Sequence, residues 1–329
     1  MAIDANAADA NLPIVWTGST NWTNEQLLQD CNNAIIIQDQ SLAISYTMEF
    51  EEMWGGSSLN PNLALSEFGP YKTDNTPHEF LIGGKRVENY FSPSDGTNGH
   101  IIQTVQNADD NLFFSVLVMT RTDVANAIAN EASNNILTAG MVNDTGSQYS
   151  GTCFQTIAAQ AGNQMMLYNG TYLLHHKYLI EDVNHTTHDP LVLTGSHNWS
   201  TSAETKNDEN IVIVHDQSIA NQYYQEFIKR FHDNGGVLNV MQENSELASF
   251  MAYPNPAHSE INVFVEMKKA SSSEITLTDM YGSLLKTEKL FSNAGVNTIT
   301  LDVRNFAAGI YLLNIRTGQS STSAKIIIE

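Results

Sequence analysis

Two hydrophobic patterns follow one another along the first 236 residues of the chain. Short apolar runs over residues 88–93 and 112–119 predict strands, whereas helical spacing of apolar residues near 97–107 and 122–132 predicts helices. Strands that alternate with helices are typical of a layered α/β fold. The sequence therefore predicts an α/β region over most of its length.

The last 80 or so residues follow a different pattern, which begins at Tyr253. Apolar and polar residues alternate there in short runs, and Gly282 and Gly309 punctuate turns. Strands are predicted over residues 261–266, 274–278, 297–303, 310–315 and 324–329. Short strands of this kind favour a small β-sandwich.

The α/β region contains an internal repeat. At an offset of 177, residues 15–54 align without a gap with residues 192–231, and 15 of the 40 positions are identical. Gly18-Ser19-x-Asn21 corresponds to Gly195-Ser196-x-Asn198. Each copy shows a strand, a Gly-Ser turn, a second strand and an amphipathic helix. A duplicated structural unit is the natural explanation.

Candidate chemistry lies just before the second copy. His175 and Lys177 are two residues apart, so on a strand their side chains share one face and His176 points to the other. His-x-Lys alone would favour core histidines and a lysine that extends to solvent. Asp182 and the Gly-Ser-x-Asn turn change that reading, because together these groups could attack a phosphodiester without a metal.

Composition limits the alternatives. The whole net charge of −21 falls in residues 1–249, since residues 250–329 carry equal numbers of acidic and basic residues. An acidic chain disfavours loose attraction to nucleic acid, although it does not exclude a local basic pocket. Acidity that simply keeps the protein soluble explains the charge equally well. No stable nucleic-acid partner is expected.

Neither a metal nor a cofactor is predicted. Cys31 and Cys153 are the two cysteines, and the sequence does not show whether they meet. His185-x-x-His188-Asp189 resembles a metal-ligand spacing, but it lies in a polar stretch and is interpreted as a solvated loop. No apolar run approaches membrane-spanning length, and the N-terminus lacks the features of a signal peptide.

The motif residues carry a family resemblance. His175-x-Lys177-x-x-x-x-Asp182 with Gly195-Ser196-x-Asn198 resembles the phospholipase D superfamily signature, and Gly18-Ser19-x-Asn21 resembles the trailing part of a second copy. The resemblance covers about residues 1–235 and implies two α/β halves with one active site between them. It also implies that one histidine attacks phosphorus, giving a phosphohistidine, while another protonates the leaving alcohol and then activates water.

The resemblance implies a role for each motif residue. Glu209 is the family-matched candidate for orienting His175, and Lys177 would bind phosphate oxygens. Asp182 is expected to be a local organiser and not a proton carrier. The predicted phosphate-binding residues are Ser196, Asn198, Ser19 and Asn21. Asp4 is interpreted as a remnant of the first motif.

Two departures from the family pattern concern the first copy. Extending the repeat backwards maps Asp182 onto Asp4, but His175 and Lys177 would map before Met1. Asn32 aligns with Glu209, so the first copy also lacks that carboxylate. We expect an N-terminally truncated first half, exposed apolar surface and consequent oligomers. A homodimer that shares two copies of His175 is an alternative way to complete the site.

The C-terminal region carries a second resemblance. Tyr253-Pro254-Asn255-Pro256, Gly309-Ile310-Tyr311-Leu312 and the closing Lys325-Ile326-Ile327-Ile328 resemble a C-terminal sorting domain of the type IX secretion system. This implies export to the surface or surroundings of a Gram-negative bacterium, with the secretion machinery as a partner. An ordinary spacer or carbohydrate-binding sandwich is the alternative. Since such substrates first need a signal peptide, we expect that the chain starts at an internal methionine through gene modelling or cloning.

The sequence thus predicts duplicated phospholipase D-like α/β layered halves followed by a small all-β sandwich. The expected segments are the C-terminal part of the first half (1–56), a linker (57–79), the second half (80–236), a linker (237–250) and the sorting domain (251–329). The leading functional hypothesis is a secreted phosphodiesterase that hydrolyses phospholipids. An extracellular nuclease with the same site and a catalytically crippled surface-binding module are the alternatives.

Overall fold

The computed structural model describes residues 1–143, 151–183, 188–238, 247–279, 283–317 and 320–329. It divides the chain into two compact units, Met1–Asn239 and Val240–Glu329. The first unit is mixed α/β and contains the repeat and all the motif residues, and the second is all-β. Within the described ranges, no helix is long and apolar enough to cross a membrane.

Residues 1–56, called the first half below, form a small antiparallel sheet and two helices. The elements are β1 (Ala2–Ile3), β2 (Ile14–Gly18), α1 (Asn24–Leu28), β3 (Ala34–Gln38) and α2 (Gln40–Trp54). β2 lies between β1 and β3. The helix α2 begins where the Asp39 side chain accepts a hydrogen bond from the backbone N–H of Leu42, and it buries Leu42 and Ala43 against Val15 of β2.

Residues 80–236, called the second half, are built on an eight-stranded sheet. Its elements are β4 (Glu79–Ile82), β5 (Lys85–Ser92), α3 (Thr97–Gln106), β6 (Asn111–Val116), α4 (Thr122–Ser133), β7 (Leu137–Asn143), α5 (Gly151–Ala161), β8 (Met165–Tyr168), β9 (Lys177–Glu181), β10 (Leu191–Gly195), α6 (Thr201–Thr205), β11 (Glu209–Val214) and α7 (Gln217–Asp233). The strand order is β4-β5-β11-β10-β9-β6-β7-β8, and only β6, β7 and β8 pair in parallel among these described strands.

Helices cover both faces of this sheet. On one face α3, α4 and α5 bury residues such as Ile101 and Ile128, and on the other α7 buries Phe227 and Phe231. Strands β6, β9 and β10 therefore have no exposed side, and each is buried along its whole length. This explains why their sequences are nearly continuous apolar runs without alternation. The fold class is the α/β arrangement predicted from the sequence.

The repeat is visible as a pair of matched contacts between the halves. Asn210 of the second half exchanges hydrogen bonds with Thr17 and donates to Tyr46 Oη at 2.7 Å. At the equivalent positions, Asn33 donates to Thr194 Oγ1 at 2.6 Å and to the hydroxyl of the second-half tyrosine aligned with Tyr46 at 3.1 Å. Each half thus binds the other through the same residues, as expected for a pseudo-twofold axis.

The turn glycines explain why each turn lies so close to the strand that follows it in the same half. A Cβ at Gly18 would lie 2.4 Å from the carbonyl oxygen of Asn33, and a Cβ at Gly195 would lie 2.1 Å from that of Asn210. Both contacts are with backbone atoms, which cannot move aside easily. Any side chain at these positions would separate the turn from the following strand.

The second unit is a two-sheet β-structure. Its strands are β12 (Leu247–Tyr253), β13 (Glu260–Met267), β14 (Ser271–Asp279), β15 (Leu284–Ser292), β16 (Gly295–Asp302), β17 (Gly309–Thr317) and β18 (Ser320–Ile328). The sheets have the orders β12-β13-β16 and β15-β14-β17-β18, and they enclose a core that includes Val263, Leu277 and Leu313.

Two of these strands were missed by sequence reasoning. β12 lies partly in the expected linker 237–250, and its partner is β13. β15 forms one edge of its sheet and exposes most of its residues, including Lys289, so it carries little hydrophobic signal. An edge strand with charged residues is a common way to prevent further strand pairing.

Candidate active site

The motif residues of the second half meet at one edge of the eight-stranded sheet. β9 begins there with Lys177, β10 ends there with Gly195, and β11 begins there with Glu209, because neighbouring strands run antiparallel. The turn and the β3 start of the first half face the same edge, through the contacts of Asn33 and Asn210. The candidate site therefore lies between the halves, within the first unit.

His175 is buried against the first half. Its backbone N–H donates to the carbonyl of Cys31 at 2.9 Å, and its ring Nδ1 lies 2.9 Å from the carbonyl oxygen of Ser19 and 2.8 Å from Oδ1 of Asn32. A carbonyl oxygen can only accept, so Nδ1 carries the proton and Nε2 keeps its lone pair. The ring is thus prepared to act as a nucleophile through Nε2.

This geometry corrects one expectation from the sequence. Glu209 was expected to orient His175, but among the described residues the oxygens at Nδ1 belong to Asn32 and Ser19. The physical reason is the pseudo-twofold axis, which brings Asn32 of the first half, and not a residue of the second half, to His175. Asn32 is the residue that aligns with Glu209.

Lys177 is the cation next to His175. Its Nζ donates to the His175 carbonyl at 2.9 Å and lies 3.3 and 3.4 Å from the two ring nitrogens. Burial lowers the pKa of Lys177 to about 7, against the opposing effect of the Glu209 carboxylate. Burial and the Lys177 charge together lower the pKa of His175 to about 4. At mildly acidic pH a neutral imidazole therefore stands beside an ammonium group.

Asp182 has an organising position, at the far end of β9 from Lys177. Its carboxylate accepts hydrogen bonds from the backbone N–H groups of Asp109, Asp110 and Asn111 at 2.8–3.3 Å, which fixes the start of β6. Its backbone has φ +51°, and that of Asp4, its counterpart in the first half, has φ +56°. The matched left-handed conformations support the alignment of the two residues.

The remaining predicted residues divide into two groups. Ser196 and Ser19 hold the framework, because their hydroxyl oxygens accept the backbone N–H groups of Asn210 and Asn33, at 3.1 and 3.0 Å. Asn198 and Asn21 have unused capacity instead. The Oδ1 of Asn198 is buried without a hydrogen-bond partner in the described chain, and Asn21 is exposed. Only the Nδ2 group of an amide donates, so Asn198 and Asn21 would hold a phosphate oxygen through Nδ2 and not through Oδ1.

His176 points to the opposite face, as the strand alternation predicts. Its Nε2 lies 3.2 Å from Oε1 of Glu226, which also accepts from the Tyr178 hydroxyl at 2.6 Å. Burial alone would raise the pKa of Glu226, but the bonds from His176 and Tyr178 lower it to about 2. His176 therefore ties β9 to α7 and stays out of the reacting face.

Lys72 is a buried cation of the first unit that the sequence did not reveal. It lies in the expected linker, is 6% exposed, and its Nζ forms an ion pair with Glu49 and donates to the Ser92 carbonyl at 2.7 Å. Glu49 is the repeat counterpart of Glu226. Lys72 is thus the partner of Glu49 in the first half, as His176 is the partner of Glu226 in the second half.

One group of described residues has ligand atoms close enough for a metal. Asp109, Asp182 and His188 bring such atoms within 4.8 Å of one another. Asp182 accepts hydrogen bonds from backbone N–H groups, and His188 is paired with Asp110. Both contacts stabilise the start of β6. His185, the other histidine of the metal-like spacing, lies outside the described residues. Cys31 and Cys153 are both buried and are not joined in a disulfide.

Comparison with known families agrees with this geometry. Residues 101–231 match the PLD-like domain of the cardiolipin synthase family model, and residues 251–329 match the secretion system C-terminal sorting domain. The chain contains a phospholipase D-like domain and a C-terminal sorting domain. The phospholipase D-like match includes His175, Lys177, Asp182 and Glu209.

Individual relatives of the phospholipase D-like unit are distant. A phospholipase D of Rickettsia typhi is 21% identical over 153 residues, which are 46% of this chain and 72% of that protein. The phospholipase D family member Nuc from Salmonella typhimurium is 22% identical, with a TM-score of 0.36 over 44% of this chain and 93% of that chain. The phosphatidylserine synthase of Haemophilus influenzae is 13% identical, with a TM-score of 0.44 over 68% of this chain and 60% of that one.

Proposed function

We propose that the chain is a secreted phosphodiesterase of phospholipase D type, which hydrolyses phospholipids through a phosphohistidine on His175. The observation that carries the proposal is the state of the His175 ring. Nδ1 faces two oxygen acceptors, Nε2 keeps a lone pair, and the Lys177 ammonium lies 3.3 Å from the ring. A nucleophile next to a fixed cation is the minimum needed for metal-free attack on phosphorus.

The reaction proceeds in two displacements. Nε2 of His175 attacks phosphorus and forms an N–P bond, while the P–O bond to the leaving alcohol breaks and that oxygen takes a proton from water. Lys177 and the Asn198 amide stabilise the charge on the equatorial oxygens. A second water then attacks phosphorus and gives its proton to the hydroxide left by the first step, while the N–P bond breaks and Nε2 regains its lone pair. Asp182 and Ser196 keep the strand ends in place, as their backbone contacts indicate.

Charge around the site favours lipid over nucleic acid. Asp30 acts on His175 and Glu209 acts on Lys177, and each favours the protonated form of its neighbour. A phospholipid with a cationic head group carries one phosphodiester beside a positive charge and suits these carboxylates. DNA carries a row of phosphates and needs several cations, whereas the chain has a net charge of −21.

The test is hydrolysis by the purified chain and by His175→Ala. Substrates are phosphatidylcholine vesicles, single-stranded DNA and double-stranded DNA. We expect release of choline by the parent chain and none above background by the variant. Cleavage of DNA alone would contradict the lipid proposal and support the nuclease.

A second candidate is a non-catalytic binding module. It is favoured by one observation, that the first half carries the neutral amide of Asn32 where the second half carries the carboxylate of Glu209. Hydrolysis of bis(p-nitrophenyl) phosphate separates the two functions. Equal background rates for the parent chain and His175→Ala would support the binding module.

Export and assembly complete the proposal. The sorting domain supports secretion to the surface or surroundings of a Gram-negative bacterium through the type IX machinery. A homodimer that pairs two His175 residues would have to displace the first half, since Ser19 and Asn32 already cover this ring. Comparing the mass in solution with that of one chain, by light scattering, tests for the dimer.

A further inference from the structure

Asn32 is the residue in which the two halves differ most directly at the site. It precedes β3 of the first half, and the aligned residue at the start of β11 is Glu209. Both positions lie at the edge where the halves meet. One position carries a neutral amide, and the other carries a carboxylate.

The amide of Asn32 has a fixed orientation. Its Nδ2 donates to the carbonyl of Gln26 at 2.8 Å, so Oδ1 faces the site. There Oδ1 lies 2.8 Å from Nδ1 of His175 and 3.2 Å from Oγ of Ser19. The partner in this bond is the backbone carbonyl of Gln26, which only accepts, so a flipped Asn32 amide would lose the bond. The flipped amide would also place its NH2 group against the Nδ1–H of His175, and both groups are donors.

We propose that Asn32 is a positioning residue that holds His175 as the neutral Nδ1–H tautomer, which assigns this histidine to nucleophilic attack and not to proton donation. The inference rests on the proposed function for its catalytic meaning. The tautomer itself can be measured without any substrate. The two acceptors at Nδ1, the Asn32 amide and the Ser19 carbonyl, are uncharged, so neither favours protonation of Nε2 as a carboxylate would.

The charges around the ring act in both directions, and the lowering effect is larger. Lys177 and its neighbour His176 oppose a positive charge on His175, and Asp30 of the first half favours one. Glu209 acts on Lys177. Burial adds to the effect of Lys177 and brings the pKa of His175 to about 4. With a carboxylate at position 32, an opposite charge would lie in contact with the ring and would raise this pKa by about 1–2 units.

The experiment is an NMR titration of the full chain with 15N-labelled histidine. Signals of His175 are assigned by their loss in His175→Gln. At pH 7 we expect Nδ1 to show the shift of a protonated ring nitrogen and Nε2 that of an unprotonated one. In Asn32→Asp we expect the midpoint to rise by about 1–2 pH units. The exposed neighbour Gln29 supplies the control, since Gln29→Glu adds the same charge without a bond to His175.

The outcomes are distinct. An Nε2–H tautomer in the parent chain, or equal midpoints in Asn32→Asp and Gln29→Glu, would overturn the inference. Asn32→Leu is a second variant that needs no buried charge, and we expect its ring nitrogen shifts to move towards each other as tautomer selection weakens. Unchanged shifts in Asn32→Leu would also overturn it. If no variant hydrolyses a phosphodiester but the tautomer is as expected, the proposed function fails and the positioning role stands.

Discussion

The first and second halves share a framework and differ in the charges placed on it. The matched parts are the turn glycines Gly18 and Gly195 and the cross-half amides Asn33 and Asn210. The unmatched part is position 32, which is an amide in the first half, and its counterpart in the second half, the Glu209 carboxylate. The first half therefore shapes the site around His175 through a backbone carbonyl and a neutral amide.

The two halves also differ in how their sheets are covered. Ile213 is 3% exposed beneath the helical layer of the second half, whereas its counterpart Ile36 is 63% exposed. Trp199 is fully buried and its counterpart Trp22 is 68% exposed. Large apolar side chains left in water favour association. We therefore keep the expectation of oligomers, which a monodisperse monomer in light scattering would contradict.

The largest expected effect comes from removing the nucleophile, His175. His175→Ala should lower the rate of bis(p-nitrophenyl) phosphate hydrolysis by at least roughly 10³-fold, because the reaction loses the group that bonds to phosphorus. His258→Ala is the matched control, since His258 has a side chain that is 75% exposed in the second unit. A His175→Ala rate within a few fold of the control would mean that the second half is not the reacting half.

The next effect tests how the first half is held. Lys72→Met should lower the free energy of unfolding by about 3–5 kcal/mol, because it leaves the buried Glu49 without its cation. Urea denaturation of the chain measures the change. Lys229→Met is the control, since the Lys229 side chain is 74% exposed and its pair with Asp233 should contribute less than about 1 kcal/mol.

The double variant Lys72→Met, Glu49→Leu distinguishes the loss of the ion pair from a packing defect. It should recover part of the stability, because no buried charge is left alone. If Lys72→Met is as stable as Lys229→Met, the ion pair of Lys72 with Glu49 does not stabilise the fold.

A smaller effect compares the two cross-half amides. Asn33→Leu and Asn210→Leu should each lower the free energy of unfolding by about 1–3 kcal/mol. Each substitution leaves buried hydroxyl groups of the opposite half without their hydrogen-bond partner. Thermal unfolding measures both. A large loss for one variant and none for the other would contradict the pseudo-twofold equivalence of these contacts.

The smallest effect is a pH dependence of activity. His175 must be neutral to attack, so kcat/KM should rise as pH increases through about 4. Lys177 must be protonated to hold the phosphate, so kcat/KM should fall as pH increases through about 7. A bell-shaped profile with its maximum between these values is expected. A profile that rises steadily from pH 6 to 9 would contradict the assignment of Lys177 as a charged phosphate ligand.

The same shift on His175 affects stability. Its pKa in the folded chain, about 4, lies below the ordinary histidine value, so the folded state disfavours its protonation. The stability associated with the neutral ring is present above about pH 6.5 and is lost as pH falls towards 4. In His175→Gln this part of the acid destabilisation should be absent.

The fold class and the motif could be predicted from the sequence because both depend on local patterns. Lys177, Asp182 and Gly195 carry recognisable spacing within about 20 residues of one another. The partner of His175 could not be read in this way, since Asn32 is 143 residues away and belongs to the other half. The repeat could have indicated this partner, because it aligns Asn32 with Glu209. In a twofold arrangement, a residue of one half contacts the site residue of the other half.

The burial of Lys72 and the strand β15 could not be predicted from the sequence, for another physical reason. Lys72 lies in a polar segment with no periodicity, and its burial depends on Glu49 and Ser92, which are distant in sequence. β15 is an edge strand whose charged side chains face solvent. In both cases tertiary contacts, and not local preference, decide the structure.

A phosphohistidine on His175 can be trapped as a covalent intermediate. The chain is mixed with bis(p-nitrophenyl) phosphate, quenched in alkali, and its peptides are analysed by mass spectrometry. The account predicts a p-nitrophenyl phosphoryl group on His175 that is absent from His175→Ala, together with loss of turnover in that variant. An adduct on a different residue, or undiminished turnover by His175→Ala, would contradict it.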